Sequence, residues 1–269
     1  MNETICFIGI GNMGSSIIDF IISKNLWKKD KLILCDYEYN KLNKYKNIED
    51  LCLIEDASEA VCHSKNIVIA VKPQDAPCLF EQIKSKITPE SLIISIMAGV
   101  KINVIQKYTG CRAVIRCMPN LPVKLGKGVI GWSCSNEVDE KRKKFFSYFC
   151  RYFGKALYFA DEASLDAITA LSGSGPMYVA LFTQSLIKAG ELIGLNENEA
   201  KIAAIQTLIG SALMLEQLSM PTELLIQKIT SKGGTTEQAS KIFHEYDFAN
   251  IIIKAVQAAY SKARTLGKE

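Results

Sequence analysis

A glycine-rich segment near the start of the chain has the residue types and the spacing needed to hold a phosphate group. It reads Gly9-Ile10-Gly11-Asn12-Met13-Gly14 and follows a strand-like run over residues 4–9. The first glycine permits a tight turn, the second lets backbone approach a pyrophosphate, and the third lets a helix pack against the strand. Free N–H groups at the start of that helix bind phosphate oxygens. The pattern predicts a dinucleotide site; the alternative is a glycine-rich turn without a ligand.

Asp36 ends the next strand-like run, about twenty residues beyond the glycines. A carboxylate at this position accepts hydrogen bonds from the adenosine ribose and repels a 2′-phosphate. Asp36 therefore favours NADH over NADPH. Lys41 and Lys44 follow it, and the alternative role for Asp36 is to cap the next helix.

Three further strand ends are predicted to face the same cleft, because ligands bind beyond the carboxyl ends of parallel strands. Ala70-Val71-Lys72-Pro73 directs Lys72 towards the cofactor, and Pro73 fixes the turn. Met97-Ala98-Gly99 and Met118-Pro119-Asn120 supply small residues against which a nicotinamide ring can lie. Ordinary turn chemistry would also account for each of these segments.

Two glycine-rich segments with hydroxyl side chains occur later in the chain. They read Leu171-Ser172-Gly173-Ser174-Gly175-Pro176 and Ser231-Lys232-Gly233-Gly234-Thr235-Thr236-Glu237. In the second, the N–H groups of Gly234, Thr235 and Thr236 are candidates to hold a carboxylate at a helix start. Ser174 is a candidate in the first. An ordinary capped helix start is the alternative for both segments.

These motifs are distributed over two predicted domains. Residues 1–160 alternate apolar strand-like runs (4–9, 31–36, 66–71, 92–97 and 112–117) with helical segments such as 14–23 and 75–87, which predicts a Rossmann-type doubly wound parallel sheet. Residues 128–133 and 155–159 are predicted edge strands, with a helix over 138–152 between them.

Residues 161–269 are predicted to form an all-α domain. The helical segments are 162–171, 175–193, 197–218, 222–229, 235–244 and 248–265. The segment 176–193 is apolar nearly all round and needs burial on every side, which about 110 residues do not provide alone. We therefore expect a homodimer joined through the helical domains.

Composition restricts the function classes. The net charge of +4 is mild, and the basic cluster Lys141-Arg142-Lys143-Lys144 is expected on a solvated helix face, which argues against nucleic-acid binding. Nine cysteines without a Cys-x-x-Cys pair favour reduced thiols over disulfides or a metal site. No signal segment or membrane-spanning run is evident, so we expect a cytoplasmic enzyme.

The combined motifs resemble the pyrroline-5-carboxylate reductase family. Residues 9–14, 70–73, 116–120, 171–176 and 233–236 carry the likeness, which spans nearly the whole chain. The resemblance implies that Ser231, Gly233, Gly234 and Thr235 bind a substrate carboxylate through backbone N–H groups, and that Thr236 hydrogen-bonds the ring nitrogen. It also implies a dimer-based ring such as a decamer. Lys232 stands where the family usually has proline.

Reduction of a cyclic imine, the reaction that the resemblance implies, is consistent with a chain that has few residues suited to general acid catalysis. Hydride addition to a protonated cyclic imine yields a neutral amine directly, whereas carbonyl reduction needs a proton donor. The only two histidines, His63 and His244, are expected at the surface or in packing. The alternatives are a β-hydroxyacid dehydrogenase, which would need a lysine soon after Gly175 although the first is Lys188, and a non-catalytic NAD(P)H sensor. Substrate ring size and feedback control stay open.

Overall fold

A computed structural model describes residues 3–217 and 220–266 of the chain. The described residues fall into two compact units. One lies within Met1–Ser174 and Ala259–Glu269, and the other within Gly175–Ala258. The predicted boundary after residue 160 marks the end of the strands, since the last strand ends at Tyr158.

The first unit is built on one eight-stranded sheet. Its strands are β1 Ile5–Ile8, β2 Leu32–Cys35, β3 Cys52–Ile54, β4 Asn66–Ile69, β5 Leu92–Ser95, β6 Ala113–Pro119, β7 Gly128–Cys134 and β8 Gly154–Tyr158. The order across the sheet is β3-β2-β1-β4-β5-β6-β7-β8. All neighbouring pairs are parallel except β6 and β7, so the last two strands run against the other six.

Helices cover both faces of this sheet. They are α1 Asn12–Ser23, α2 Tyr39–Leu42, α3 Ala57–Cys62, α4 Ala76–Ile83, α5 Ile102–Thr109 and α6 Glu140–Cys150. Side chains alternate along a strand, so Phe7 packs into one core with α1 and α6, whereas Cys6 and Ile8 pack into a second core with α3, α4 and α5. The predicted doubly wound architecture is confirmed.

The structure confirms the seven predicted strands and adds one that the sequence did not reveal. β3 has only three residues, and its first two are not buried, so no apolar run marks it. It pairs with β2 through Ile33, Leu34 and Cys35, which lengthens the sheet on the side of Asp36.

The predicted helix over residues 162–171 takes a different form. A short helix α7, Ser164–Ile168, passes into a π-helical turn at Thr169–Gly173. The second unit begins with α8 Gly175–Leu192 and continues with α9 Glu197–Gln217, α10 Thr222–Ile229, α11 Thr235–Glu245 and α12 Phe248–Thr265, which runs back into the first unit. Leu218, the predicted end of α9, lies outside the described residues.

The helices of the second unit leave large apolar side chains uncovered in the single chain. Of the described residues of α8, only Gly190 is buried, where it lies against Ala200 of α9. Val179 and Leu181 on α8 and Ile251 on α12 are each more than half exposed. Large apolar side chains exposed in such number are typical of a surface that another molecule covers.

A buried ion-pair cluster attaches α7 to the sheet. The guanidinium of Arg116 in β6 lies 2.8 Å from a carboxylate oxygen of Glu162 and 3.5 Å from one of Asp166. Glu162 also accepts the backbone N–H of Ile102 at 3.0 Å. The Arg116 side chain is 4% exposed, so its positive charge depends on these carboxylates.

Replacing Arg116 by methionine should destabilise the fold because two largely buried carboxylates lose their cation. We expect a loss of about 3 kcal/mol in urea unfolding, the lower end of the range for breaking a buried pair, since the carboxylates left without a cation are partly exposed. Lys84→Ala removes the exposed Lys84–Glu81 pair and should cost less than about 1 kcal/mol. Equal midpoints for the two variants would show that the buried cluster is not a determinant of stability.

Candidate functional site

One cleft of the first unit lies at the carboxyl edge of its parallel strands. It has a volume of about 610 Å³ and is lined by the residues that follow β1, β2, β3 and β4. The order of the sheet reverses between β1 and β4, which is the position where open α/β sheets bind ligands. Six predicted cofactor residues line it: Gly9, Gly11, Asp36, Ala70, Val71 and Lys72.

The glycine turn after β1 is set by close backbone packing. Gly9 has φ +98° and donates its N–H to the carbonyl of Cys35 at 2.8 Å. A Cβ on Gly9 would lie 2.7 Å from backbone atoms of Ala70 and Val71, and one on Gly14 would collide with the carbonyl oxygen of Gly9. Neither position therefore accepts a larger residue without movement of the turn.

Gly11 has no such internal reason to be glycine. Its φ of −76° suits any residue, and no atom lies within 4 Å of a Cβ built there. Gly11 precedes α1, whose start is capped by no side chain of the described residues and whose first turn carries no acidic residue. The N–H groups of Asn12, Met13 and Gly14 lack intrahelical partners because they open the helix. The open space in front of them suits a phosphate group.

Asp36 is a buried carboxylate that joins two loops at the cleft. It is 5% exposed, and its Oδ2 accepts the N–H of Ile10 at 2.7 Å while Oδ1 accepts that of Glu38 at 3.0 Å. The Lys41 amino group lies 3.5 Å from both oxygens. Asp36 does not cap α2, because the residue before that helix is Glu38, which makes no capping bond. Its carboxylate instead shapes the glycine turn.

The cleft is lined mostly by negative charge. Lining side chains include five carboxylates, Asp36, Glu38, Glu55, Asp56 and Asp75, against the two lysines Lys41 and Lys72. Tyr37 is exposed at the same edge, with Lys41 5.6 Å from its ring centre. Glu55 and Asp56 were missed because they follow the unrecognised β3. Any residue directly after a parallel strand is a candidate at such an edge.

Buried thiols of the sheet stay protonated at neutral pH. Burial, together with the charge of Asp36, raises the pKa of Cys35 to about 12, and burial raises the pKa of Cys117 to about 12. All nine cysteines lie in the described part of the chain, and each is a free thiol. Cys6, Cys35 and Cys117 are buried as predicted, so they pack as small apolar groups and are not nucleophiles.

The remaining predicted cofactor residues surround the cleft without lining it. Ile10 contributes its N–H to Asp36, and Met13 packs against the core. Pro73 opens the turn Pro73–Asp75. Met97 is 2% exposed, and Ala98 is half-buried. Both histidines also lie outside it, His63 at the end of α3 and His244 near the end of α11, and both are exposed.

The glycine–threonine loop of the second unit differs in detail from the sequence expectation. Gly234 immediately precedes α11, but its N–H donates to the carbonyl of Ser231 at 3.0 Å and so is not open to a ligand. The carboxylate of Glu237 accepts the N–H of Gly233 at 2.8 Å. Thr235, Thr236 and Glu237 open the helix, and no side chain among the described residues caps it. Thr235 and Thr236 are exposed.

Ser174 follows the π-helical turn at the end of the first unit. Its N–H and its hydroxyl both donate to the carbonyl of Thr169, at 3.0 and 3.4 Å. Asn120, directly after β6, donates from its side-chain amide to Ser172 in the same turn. Two of the sequence motifs therefore meet within one unit.

Comparison with known proteins covers both units. Residues 162–266 match the family model described as pyrroline-5-carboxylate reductase dimerisation, and residues 4–99 match one described as NADP oxidoreductase, coenzyme F420-dependent. The pyrroline-5-carboxylate reductase of Pseudomonas aeruginosa is 32% identical over 266 residues, which are 98% of this chain and 97% of the relative. This chain belongs to the pyrroline-5-carboxylate reductase family.

Solved structures agree over the same length. A pyrroline-5-carboxylate reductase from Coxiella burnetii is 31% identical, has a TM-score of 0.90, and is matched over 100% of both chains. The Plasmodium falciparum pyrroline carboxylate reductase with NADP bound is 30% identical, with a TM-score of 0.89 over 99% of this chain and 98% of that one. The Rossmann-type first domain and the helical second domain are thus those of the reductase family.

Two other features of this reductase family member concern metals and membranes. Among residues 3–217 and 220–266, no three His, Cys, Asp or Glu side chains are grouped so as to hold a metal ion. None of the helices in those two stretches combines the length and the apolar character that crossing a bilayer requires.

Gly11→Ala separates cofactor binding from folding in this reductase. The added methyl group meets no protein atom, so the melting temperature should fall by only about 1–3 °C, the cost of alanine at a helix N-cap, whereas a dinucleotide should bind on the order of tenfold more weakly. Gly14→Ala is the matched variant and should lower the melting temperature, because its methyl group meets the Gly9 carbonyl. Unchanged NAD(P)H affinity in Gly11→Ala, measured by fluorescence titration, would exclude Gly11 from the cofactor site.

Proposed function

We propose that this chain reduces 1-pyrroline-5-carboxylate to L-proline with NAD(P)H, the last step of proline biosynthesis. Likeness to reductases of that name over 98% of the chain carries the proposal. The glycine turn supports it, because Gly11 leaves open space where a pyrophosphate needs to approach.

The chain's own residues need only bind and orient the reactants. The dinucleotide, when bound, supplies the hydride. The acceptor, a protonated cyclic imine, becomes a neutral amine without an added proton, so the cleft requires no general acid. Both histidines lie outside it, and Cys35, with its pKa near 12, is a poor acid. Rate enhancement then comes from holding ring and cofactor in a reactive geometry.

The substrate carboxylate is assigned to the start of α11. The N–H groups of Thr235, Thr236 and Glu237, with the positive end of the helix dipole, favour an anion there. The bond from Gly233 to Glu237 fixes the preceding turn, which Lys232 leaves less rigid than proline would. Ser231 holds Gly234 in that turn. The Thr236 hydroxyl is assigned to the ring nitrogen, and Ser174 to a supporting contact.

One assay distinguishes this function from its alternatives. NADH and NADPH oxidation is followed with pyrroline-5-carboxylate, with a six-membered cyclic imine acid, with a 3-oxo acid, and without substrate. We expect turnover with the five-membered imine. Turnover with the 3-oxo acid alone would indicate a β-hydroxyacid dehydrogenase, and cofactor binding without any turnover would indicate a sensor.

Thr236→Ala should lower kcat for the imine on the order of tenfold to a hundredfold, since it removes a hydroxyl that orients the reacting ring. NAD(P)H affinity should change less than about twofold, because the glycine turn is untouched. Thr236→Ser keeps the hydroxyl and is the matched control, expected near the parent rate. An unaltered kcat in Thr236→Ala would remove this residue from the catalytic site.

NADH is the proposed preferred cofactor. Five carboxylates and two lysines line the cleft, and a 2′-phosphate would add about two negative charges to that set. Asp36 acts mainly through its charge, because its two oxygens already accept the N–H groups of Ile10 and Glu38. Lys41 offsets part of that charge.

Asp36→Ser should raise the ratio of kcat/KM for NADPH to that for NADH by at least about tenfold, or ~1.4 kcal/mol. Asp36→Asn keeps an acceptor for the Ile10 N–H while it removes the charge, so it should shift the ratio with a smaller loss of total activity. Asp30→Asn removes an exposed carboxylate from the turn before β2 and should leave the ratio unchanged. A fixed ratio in both Asp36 variants would contradict an electrostatic selection by this residue.

The helical unit is proposed to join two chains into a homodimer, and dimers into a larger ring such as a decamer. The match of residues 162–266 to a dimerisation family supports the first step. The uncovered apolar side chains of α8 and α12 supply the surface that a stable dimer buries. Nine free thiols suit a reducing compartment, and we propose a cytoplasmic location, which fractionation of the source cells would test.

Leu181→Glu should disrupt that assembly. A carboxylate on the 58% exposed Leu181 of α8 would be buried unpaired in the dimer. Light scattering should give a multiple of 29.8 kDa for the parent and a smaller mass for the variant. Lys84→Glu, on the first unit, is the control and should keep the parent mass. A parent of 29.8 kDa at micromolar concentration would contradict the homodimer.

A further inference from the structure

Asn120 makes an unusually complete set of side-chain hydrogen bonds at the end of β6. Its Nδ2 donates to the carbonyl oxygen of Ser172 at 3.1 Å and to its hydroxyl at 3.0 Å. Its Oδ1 accepts the N–H of Val129 in β7 at 2.8 Å. The residue is 8% exposed, so these bonds are made away from water, where an unsatisfied amide is costly.

The partner of Asn120 lies in a rare type of backbone. Ser172 belongs to the π-helical turn Thr169–Gly173, a form that is rare and occurs mostly at functional sites. Ser174 closes the turn by donating its N–H to Thr169, and the chain enters the second unit at Gly175. The side chain of Asn120 therefore holds the segment through which the cofactor domain continues into the helical domain.

The turn also has little room to move on the sheet. A Cβ on Gly173 would lie 3.3 Å from Cε of Met118, and one on Gly131 would lie 2.8 Å from Cγ2 of Ile168. Met118 and Gly131 are register partners in β6 and β7. The end of this strand pair thus packs directly under α7 and the π-helical turn, and Asn120 adds the polar contact that fixes its register.

We propose that Asn120 is a positioning residue of the reductase. This proposal rests on the proposed function. The Asn120 amide holds Ser172, and so it fixes the position of the turn that carries Ser174 against the carboxyl end of β6 at Met118-Pro119. Both are candidates to border the reacting ring. Asn120 touches neither reactant, and it acts on the rate by limiting the movement of the residues that do.

The test compares Asn120 with a buried residue of similar role in the fold but distant from the turn. Ser135 is also 8% exposed, and its hydroxyl joins the other end of the same strand pair by accepting the Val114 N–H and donating to the Arg112 carbonyl. Asn120→Ala, Asn120→Asp and Ser135→Ala are measured in the full chain for kcat and KM with pyrroline-5-carboxylate, for NAD(P)H affinity and for melting temperature. Asn120→Asp retains the acceptor for Val129, but it replaces the donor to Ser172 by a carboxylate oxygen that faces the Ser172 carbonyl and adds a buried negative charge.

Both Asn120 variants should lower kcat on the order of tenfold to a hundredfold while NAD(P)H affinity changes less than about twofold. Ser135→Ala should lower the melting temperature by a similar amount and keep kcat within about twofold. Parent-like kcat in a folded Asn120→Asp, or the same kcat in Ser135→Ala and the Asn120 variants, would overturn the positioning role. A parent inactive on the imine would instead overturn the proposed function.

Discussion

The buried bond between the Asp36 carboxylate and the Ile10 N–H is the interaction on which the cofactor site depends. It joins the turn after β1 to the turn after β2, and the N–H of Glu38 completes the link. With the turn held there, Gly9 adopts its positive φ against Ala70, and Gly11 presents open backbone at the start of α1. A charged hydrogen-bond acceptor is stronger than a neutral one, so a single side chain fixes the backbone that we propose to bind the phosphates and contributes to the negative charge of the cleft.

In the second unit, the main constraint is the need to cover exposed apolar side chains. Its helices satisfy their backbone hydrogen bonds internally but leave many large side chains of α8 to α12 exposed in one chain. Burial of such surface is the main favourable term in association. We propose that a second copy covers this surface, in which case assembly would contribute to the stability of the helical unit.

Sequence reasoning was most accurate where the determinants are local. Apolar runs such as residues 92–97 mark buried parallel strands, and glycine spacing marks the turn at residues 9–14, because backbone geometry there allows few other residues. The prediction failed where tertiary packing decides. β3 is too short and too exposed to show a pattern. The π-helical turn begins directly after Ile168, which packs against Gly131 of β7, and this contact is not visible in the sequence. The Gly234 N–H already donates to the Ser231 carbonyl, a turn bond that composition does not reveal.

We assign to this chain hydride transfer from a nicotinamide to a cyclic imine carbon. The most direct measurement uses NADH carrying deuterium at the reactive C4 position, with pyrroline-5-carboxylate as acceptor and mass spectrometry of the product. With labelled NADH, we predict proline that carries one deuterium on the former imine carbon. With unlabelled NADH in D₂O, we predict no deuterium on that carbon; only exchangeable positions should take up label from solvent. NADH is labelled in turn on each face of C4. Unlabelled proline from both labelled forms, or no proline at all, would contradict hydride transfer from the nicotinamide to the imine.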